Sequence, residues 1–152
     1  MTIDKKGDIT DYEIVESVIC VNRRMSYTSV KKILEDGDVT EKAEYEELVP
    51  MFLLMAELSK ILREKRKKRG AIDFDFPESK IILEPDGHPV DVKAYERNTA
   101  NMLIEDFMLA ANETVAQHFY WMEAPFVYRV HEKPDAEKIQ KLNIFINNKK
   151  YI

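Results

Sequence analysis

Between residues 97 and 122, Ala100, Leu103, Ile104, Phe107, Ala111 and Val115 recur at steps of mostly three and four residues, and no other feature limits the fold as strongly. A stripe of that period is buried only as a helix of about seven turns, and such a helix needs a second apolar surface to pack on. Residues 48–69 supply one. Leu48, Phe52, Met55, Leu58 and Leu62 follow the same spacing, with Pro50 in the first turn or kinking the helix and Gly70 as the stop. Two shorter helices are expected. One covers 27–35 after Ser26, a candidate N-cap, and ends at Asp36-Gly37-Asp38; the other follows Pro134-Asp135 through Ile139, Leu142 and Phe145.

Strand signals lie between these helices. Residues 9–20 are rich in β-branched and apolar residues and follow a turn at Lys6-Gly7-Asp8, with no first partner strand in evidence. Residues 71–76 read as a strand. Residues 80–84 and 90–95 read as a hairpin around Pro85-Asp86-Gly87, in which Val90, Val92 and Ala94 alternate with Asp91, Lys93 and Tyr95 and form a buried face. Residues 126–131 form a last strand. This order does not alternate regularly, so the expected class is α+β, a mixed or antiparallel sheet packed with helices, and not a doubly wound parallel sheet. No repeat or linker divides residues 1–152, which read as one unit. The apolar run from Leu142 to Ile146 and the last residues resemble the approach to another strand, so the expectation is a fragment of a larger domain.

Composition narrows the function classes. A chain of 152 residues with 45% hydrophobic and 34% charged residues is balanced like a soluble globular protein. Its longest near-apolar run, 48–58, is broken by Pro50 and Glu57 and reaches about half of the roughly 20 residues of a membrane span. The polar N-terminus is neither a secretory signal nor a transit peptide, so a cytoplasmic location is expected. Cys20 has no second cysteine to pair with and is expected as a small buried residue in a strand. A net charge of -5 gives no overall basic field, yet residues 60–69 place Lys60, Arg63, Lys65, Arg66, Lys67, Lys68 and Arg69 against Glu64 alone.

No glycine-rich phosphate loop, zinc-binding histidine pair or serine nucleophile elbow is present, and His88, His118 and His131 fall in separate elements. Asp73 and Asp75 alternate with Phe74 and Phe76, a pattern open to Mg²⁺ binding with help or to a plain solvated face. Asn101, Glu105 and Asn112 form a polar line on the long helix, which borders a ligand groove or faces solvent. The basic run followed by Phe74 and Phe76 combines cations for phosphates with rings for bases; a solvated helix end and two core phenylalanines are the plainer alternative.

Several ordered segments carry a resemblance. Met1-Thr2-Ile3 through Lys6-Gly7, Arg24-Met25-Ser26-Tyr27-Thr28-Ser29-Val30, Arg69-Gly70-Ala71-Ile72-Asp73-Phe74, the stretch from Leu103 to Asn112, and Tyr128-Arg129-Val130-His131-Glu132-Lys133-Pro134 together resemble the middle of the RNB catalytic domain of the ribonuclease II and ribonuclease R family, nearer the ribonuclease R side. The resemblance implies a Mg²⁺-dependent exoribonuclease that degrades single-stranded RNA from the 3′ end to nucleoside monophosphates. It implies that Tyr27 stands near the terminal nucleotide, that Phe74 stacks on a base, and that Glu105 helps hold the terminal nucleotide, with Tyr27 and Glu105 selecting ribose. It also implies that the metal-binding aspartates, a catalytic arginine and the flanking oligonucleotide-binding domains lie outside residues 1–152. The chain alone is then expected to be inactive and to hold no cofactor. The other reading is a non-catalytic RNA-binding or protein-interaction module. Single-stranded RNA is the expected partner and no membrane is; the sequence fixes no oligomeric state.

Overall fold

The structure is a computed structural model that describes residues 1–73, 78–95 and 97–148. The chain divides into two compact units, Met1–Thr114 and Val115–Ile152.

The first unit opens with a small antiparallel ladder of β1 (Thr2–Ile3) and β2 (Ile9–Asp11). Asp4 builds the turn between them, its Oδ1 accepting the N–H groups of Lys6 and Asp8 at 2.8 Å each. Gly7 has φ +80°, and a Cβ there would stand 3.1 Å from Ile61 Cγ2 on α3 (Val49–Lys68), so turn conformation and close approach both call for glycine. The partner strand that the sequence did not reveal is therefore β1, whose two residues are too few to show a period. The expected strand 9–20 stops at Asp11. Beyond it Val18 and Ile19 are 103% and 81% exposed, and Cys20 is exposed, not buried. Strand propensity without a partner edge does not make a strand.

Ser26 caps α1 (Tyr27–Lys31) as expected, its Oγ accepting the Ser29 N–H at 3.0 Å. The helix continues into a π-helical turn, Lys32–Asp36, closed by Gly37 in the left-handed region. A helix not anticipated from sequence follows, α2 (Val39–Glu44). Asp38, read as part of a stop signal, is also a start signal: its carboxylate accepts the N–H groups of Thr40 and Glu41 at 2.9 and 3.1 Å.

The core of this unit joins α3 to α4 (Thr99–Trp121) through Ile33, Phe52, Ala100 and Leu103, the buried apolar side chains among the described residues. The buried face of α4 also carries Asn101, Asp106 and Thr114, whereas Phe107 and Ala111 of the expected stripe are half-buried. The face is turned because Asp106, 3% exposed, is matched on α3: Ser59 Oγ donates at 2.7 Å, Arg63 Nε at 3.1 Å, and Arg66 Nη1 stands at 3.7 Å. An acid so engaged belongs in a core that an unpaired one would disrupt.

The hairpin forms where expected, as β3 (Ser79–Leu83) antiparallel to β4 (Pro89–Ala94). Its expected buried face does not: all six residues of β4 are exposed, because no described layer packs against Val90 and Val92. Residues 71–73 of the expected strand 71–76 form no ladder, and the remainder, with Phe74, Asp75 and Phe76, lies outside the described residues. The class is α+β with antiparallel pairing, in two separate two-stranded ladders among the described residues.

In the second unit the expected strand 126–131 is no strand. Phe126 instead stacks on Phe119 with centroids 4.6 Å apart and meets Tyr128 at 5.1 Å. Asp135 caps α5 (Ala136–Asn148) through the N–H groups of Glu137 and Lys138. No helix among the described residues is long and apolar enough to cross a membrane.

Asp106→Ala is expected to destabilise the chain by roughly 3–5 kcal/mol, since it leaves Arg63 part-buried without its main partner. Replacing the group together, Asp106→Leu with Arg63→Met and Ser59→Ala, should cost less than the single change. Denaturant midpoints measure both; a single-variant loss below about 1 kcal/mol contradicts the assignment.

Candidate functional site

A cleft of about 1040 Å³ opens in the first unit between the start of α1, the α3–α4 core and the β3–β4 hairpin. Its apolar floor includes Phe52, Met55, Leu103 and Ile104, and its walls carry Arg24, Tyr27, Lys80, Lys93 and Tyr95. Tyr27 is placed by the Ser26 cap, which fixes the first turn of α1, and the residue is 47% exposed at the cleft. The floor is apolar, with phenols and cations on the walls: a surface suited to an amphipathic anion.

Glu105 is not a lining residue of this cleft. Arg97 holds it, with Nη2 to Oε2 at 2.6 Å and Nε to Oε1 at 3.3 Å, a two-point contact that fixes the carboxylate plane. Arg97 also reaches Asp73 at 3.3 Å, and Arg63 reaches the same Asp73 at 3.5 Å, so Glu105 is tied through Asp73 to the buried Asp106. Phe74, the third residue of the expected site, lies outside the described residues. The polar line of Asn101, Glu105 and Asn112 does not act as one group. Asn101 is buried and shares a cap with Asn98: its Oδ1 accepts the Asn98 N–H at 3.2 Å while Asn98 Oδ1 accepts the N–H groups of Ala100 and Asn101. Its Nδ2 donates to the Tyr95 hydroxyl at 3.0 Å, which steadies Tyr95 on the cleft wall. Asn112 is exposed.

Most of the basic run is held within the fold. Lys65 donates to Gly7 O and contacts Asp8, at 2.7 and 2.8 Å; Arg63 and Arg66 face Asp106; Lys67 pairs with Glu64; and Arg69 grips Glu113 through both terminal nitrogens, at 2.9 and 2.6 Å. The cations turned to the cleft are Arg24, Lys80 and Lys93, none of them singled out by the sequence reading. The available signal was the hairpin itself, since its turn fixes a register with Lys80 opposite Lys93.

Among the described residues no group of three or more His, Cys, Asp and Glu side chains is placed to hold a metal ion. Asp73, Glu105 and Asp106 each face an arginine. The described donors thus do not fit the Mg²⁺ that the resemblance implies for a complete enzyme.

The family model described as RNB domain matches residues 1–152. Ribonuclease R of Thermotoga maritima is 44% identical over 147 residues, 96% of this chain and 20% of that protein. Ribonuclease R 1 of Lactococcus lactis is 41% identical over 141 residues, 93% of this chain and 17% of that one. Among solved structures, Mycoplasma genitalium ribonuclease R in complex with ribose methylated single-stranded RNA matches with a TM-score of 0.66 at 27% identity, over 82% of this chain and 19% of that one. The chain spans about a fifth of the length of these relatives.

The ion pairs set an acid limit on stability. Arg69 holds the Glu113 carboxyl below its ordinary 4.5, and hydrogen bonds from the side chain and N–H of Thr99, at the start of α4, do the same for Glu35. A carboxyl depressed in the folded state stabilises above its unfolded value and loses that contribution as pH falls through the folded value. Tm is therefore expected to drop below about pH 4.5, and Glu113→Gln should flatten part of that drop. A thermal melt series across pH reads it; an acid limb of the same depth in the variant removes Glu113 from the account.

Proposed function

The chain belongs to the RNB domain family, and on that footing we propose that residues 1–152 are part of a single ribonuclease R-like catalytic domain hydrolysing single-stranded RNA from its 3′ end to nucleoside monophosphates. In this reading the enzyme works in the cytoplasm with Mg²⁺. The metal-binding aspartates and the catalytic arginine lie elsewhere, and these residues position the terminal nucleotide. The supporting observation is the cleft, in which Tyr27 stands with Tyr95 and three cations above an apolar floor. Bases pack on such rings and floors while cations meet phosphates.

Tyr27, Phe74 and Glu105 are the proposed contacts. Phe74 stacks on a base near the end. The Tyr27 hydroxyl and the Glu105 carboxylate hydrogen-bond the terminal ribose, and a carboxylate that accepts from a 2′-hydroxyl gains nothing from a deoxyribose. Arg97 serves this by fixing the Glu105 side chain before substrate arrives, which lowers the entropy lost on binding.

Two measurements test the reading. The chain bound to otherwise identical oligonucleotides ending in ribose or 2′-deoxyribose should prefer ribose, and Tyr27→Phe or Glu105→Gln should each shrink that preference by roughly 3–10-fold, the worth of about one net hydrogen bond. An unchanged preference in both variants, with melting temperature intact, removes them from the site. Incubated with labelled single-stranded RNA and Mg²⁺, the chain alone is expected to release no nucleoside monophosphate, and release reproduced in an independently purified sample overturns the assigned division of labour.

A further inference from the structure

Lys80 and Lys93 stand directly opposite each other in the antiparallel register of β3 and β4. Like charges so placed repel across a Cβ separation of about 4.5–5.5 Å, where opposite charges would stabilise the ladder. Lys93 is partly offset by Asp91, whose Oδ2 is 3.5 Å from its ammonium, while Lys80 has no ion pair among the described residues. The repelling pair also faces inward. Lys80, Ile82 and Lys93 line the cleft, whereas Ile81 and Val92, on the other face of the ladder, are 59% and 64% exposed. A hairpin that turns both lysines to a cleft and leaves Ile81 and Val92 exposed on its other face is arranged for a ligand and not for packing. Nearby cations in the basic run sharpen the contrast, because Arg63, Lys65, Arg66, Lys67 and Arg69 are each neutralised by an acid.

We propose that Lys80 and Lys93 form a phosphate-binding subsite, each neutralising one phosphodiester of a single-stranded RNA lying in the cleft. The assignment rests on the RNA reading above and extends it to residues outside the expected site. Tyr27 and Tyr95 on the same walls supply faces for bases, and Arg24 adds a third cation. The stretch of backbone tracked by the lysines is then set by the hairpin and not by the basic helix end.

Fluorescence anisotropy of the chain with a short 5′-labelled single-stranded oligoadenylate, titrated over a series of KCl concentrations, tests this. For single strands, log K falls with log salt by about 0.7 per phosphate neutralised. Lys80→Met and Lys93→Met should each reduce the slope by about 0.7, and the double variant by about 1.4. Lys80→Arg should keep the slope, and Lys68→Met, an exposed cation at the end of α3 outside the cleft, should leave it unchanged. Folding is controlled by a variant expected to gain stability: Lys80→Glu places an acid opposite Lys93 and leaves the Lys93–Asp91 pair in place, so its Tm should rise while its RNA affinity falls. An unchanged slope in the double variant, or full affinity in Lys80→Glu, overturns the subsite. So does an unaltered chain that binds no oligoadenylate. If ribose preference persists and still depends on Tyr27 and Glu105, the subsite alone falls; if that preference is absent as well, the broader reading falls with it.

Discussion

A single carboxylate organises the first unit. Asp106 is buried on α4 and held from α3 by Ser59, Arg63 and Arg66. Burying such a group against arginine roughly breaks even in free energy with apolar packing, so its consequence is geometric: the contacts form at one rotation and one axial offset of the two helices. From Arg63 the constraint continues to Asp73, then Arg97, then Glu105. The orientation of an exposed-edge carboxylate is thereby inherited from the core.

The same helix pairing divides the positive charge. Cations at the end of α3 hold the β1–β2 turn through Lys65 and α4 through Arg69, and so act as tertiary contacts. Among the described residues the hairpin cations tie no other element: Lys93 meets only Asp91 on its own strand, and Lys80 has no ion pair. In a chain of net charge -5, recognition of a polyanion then depends on where uncompensated positive charge remains, which is a local property.

What the sequence disclosed follows from the range of the forces involved. α3 and α4 repeat their period over many turns, and the Ser26 cap lies three residues from its donor, so these were legible. The partners of Arg63 and Arg69 lie 43 and 44 residues away, and no local pattern announces them. Phe107 and Ala111 are apolar and so read as inward, whereas Asp106 took the buried position, matched by two hydrogen-bond donors and a third, more distant cation. The hairpin was legible in its two strands and its turn but not in which face it would bury, since that depends on what the rest of the fold sets against it. At the site, Tyr27 was reached by resemblance and lies at the cleft, while Lys80, Lys93 and Tyr95 became visible only when the hairpin was seen beside it.

The π-helical turn at Lys32–Asp36 carries Ile33 into the core and Glu35 to the Thr99 N–H that begins α4. A π-turn is a helix with one residue too many for its rise, and each residue of an α-helix advances about 100° around the axis. Deleting one residue there would restore ordinary helical bonding, yet turn the chain before it by about 100° relative to the chain after it, so that Ile33 and Glu35 could not both keep their places relative to α1 and α4. The segment is thus a point of fixed length in the chain: its side chains tolerate exchange more readily than its residue count tolerates change, and the reading frame of the fold between Tyr27 and α4 is kept by that one surplus residue.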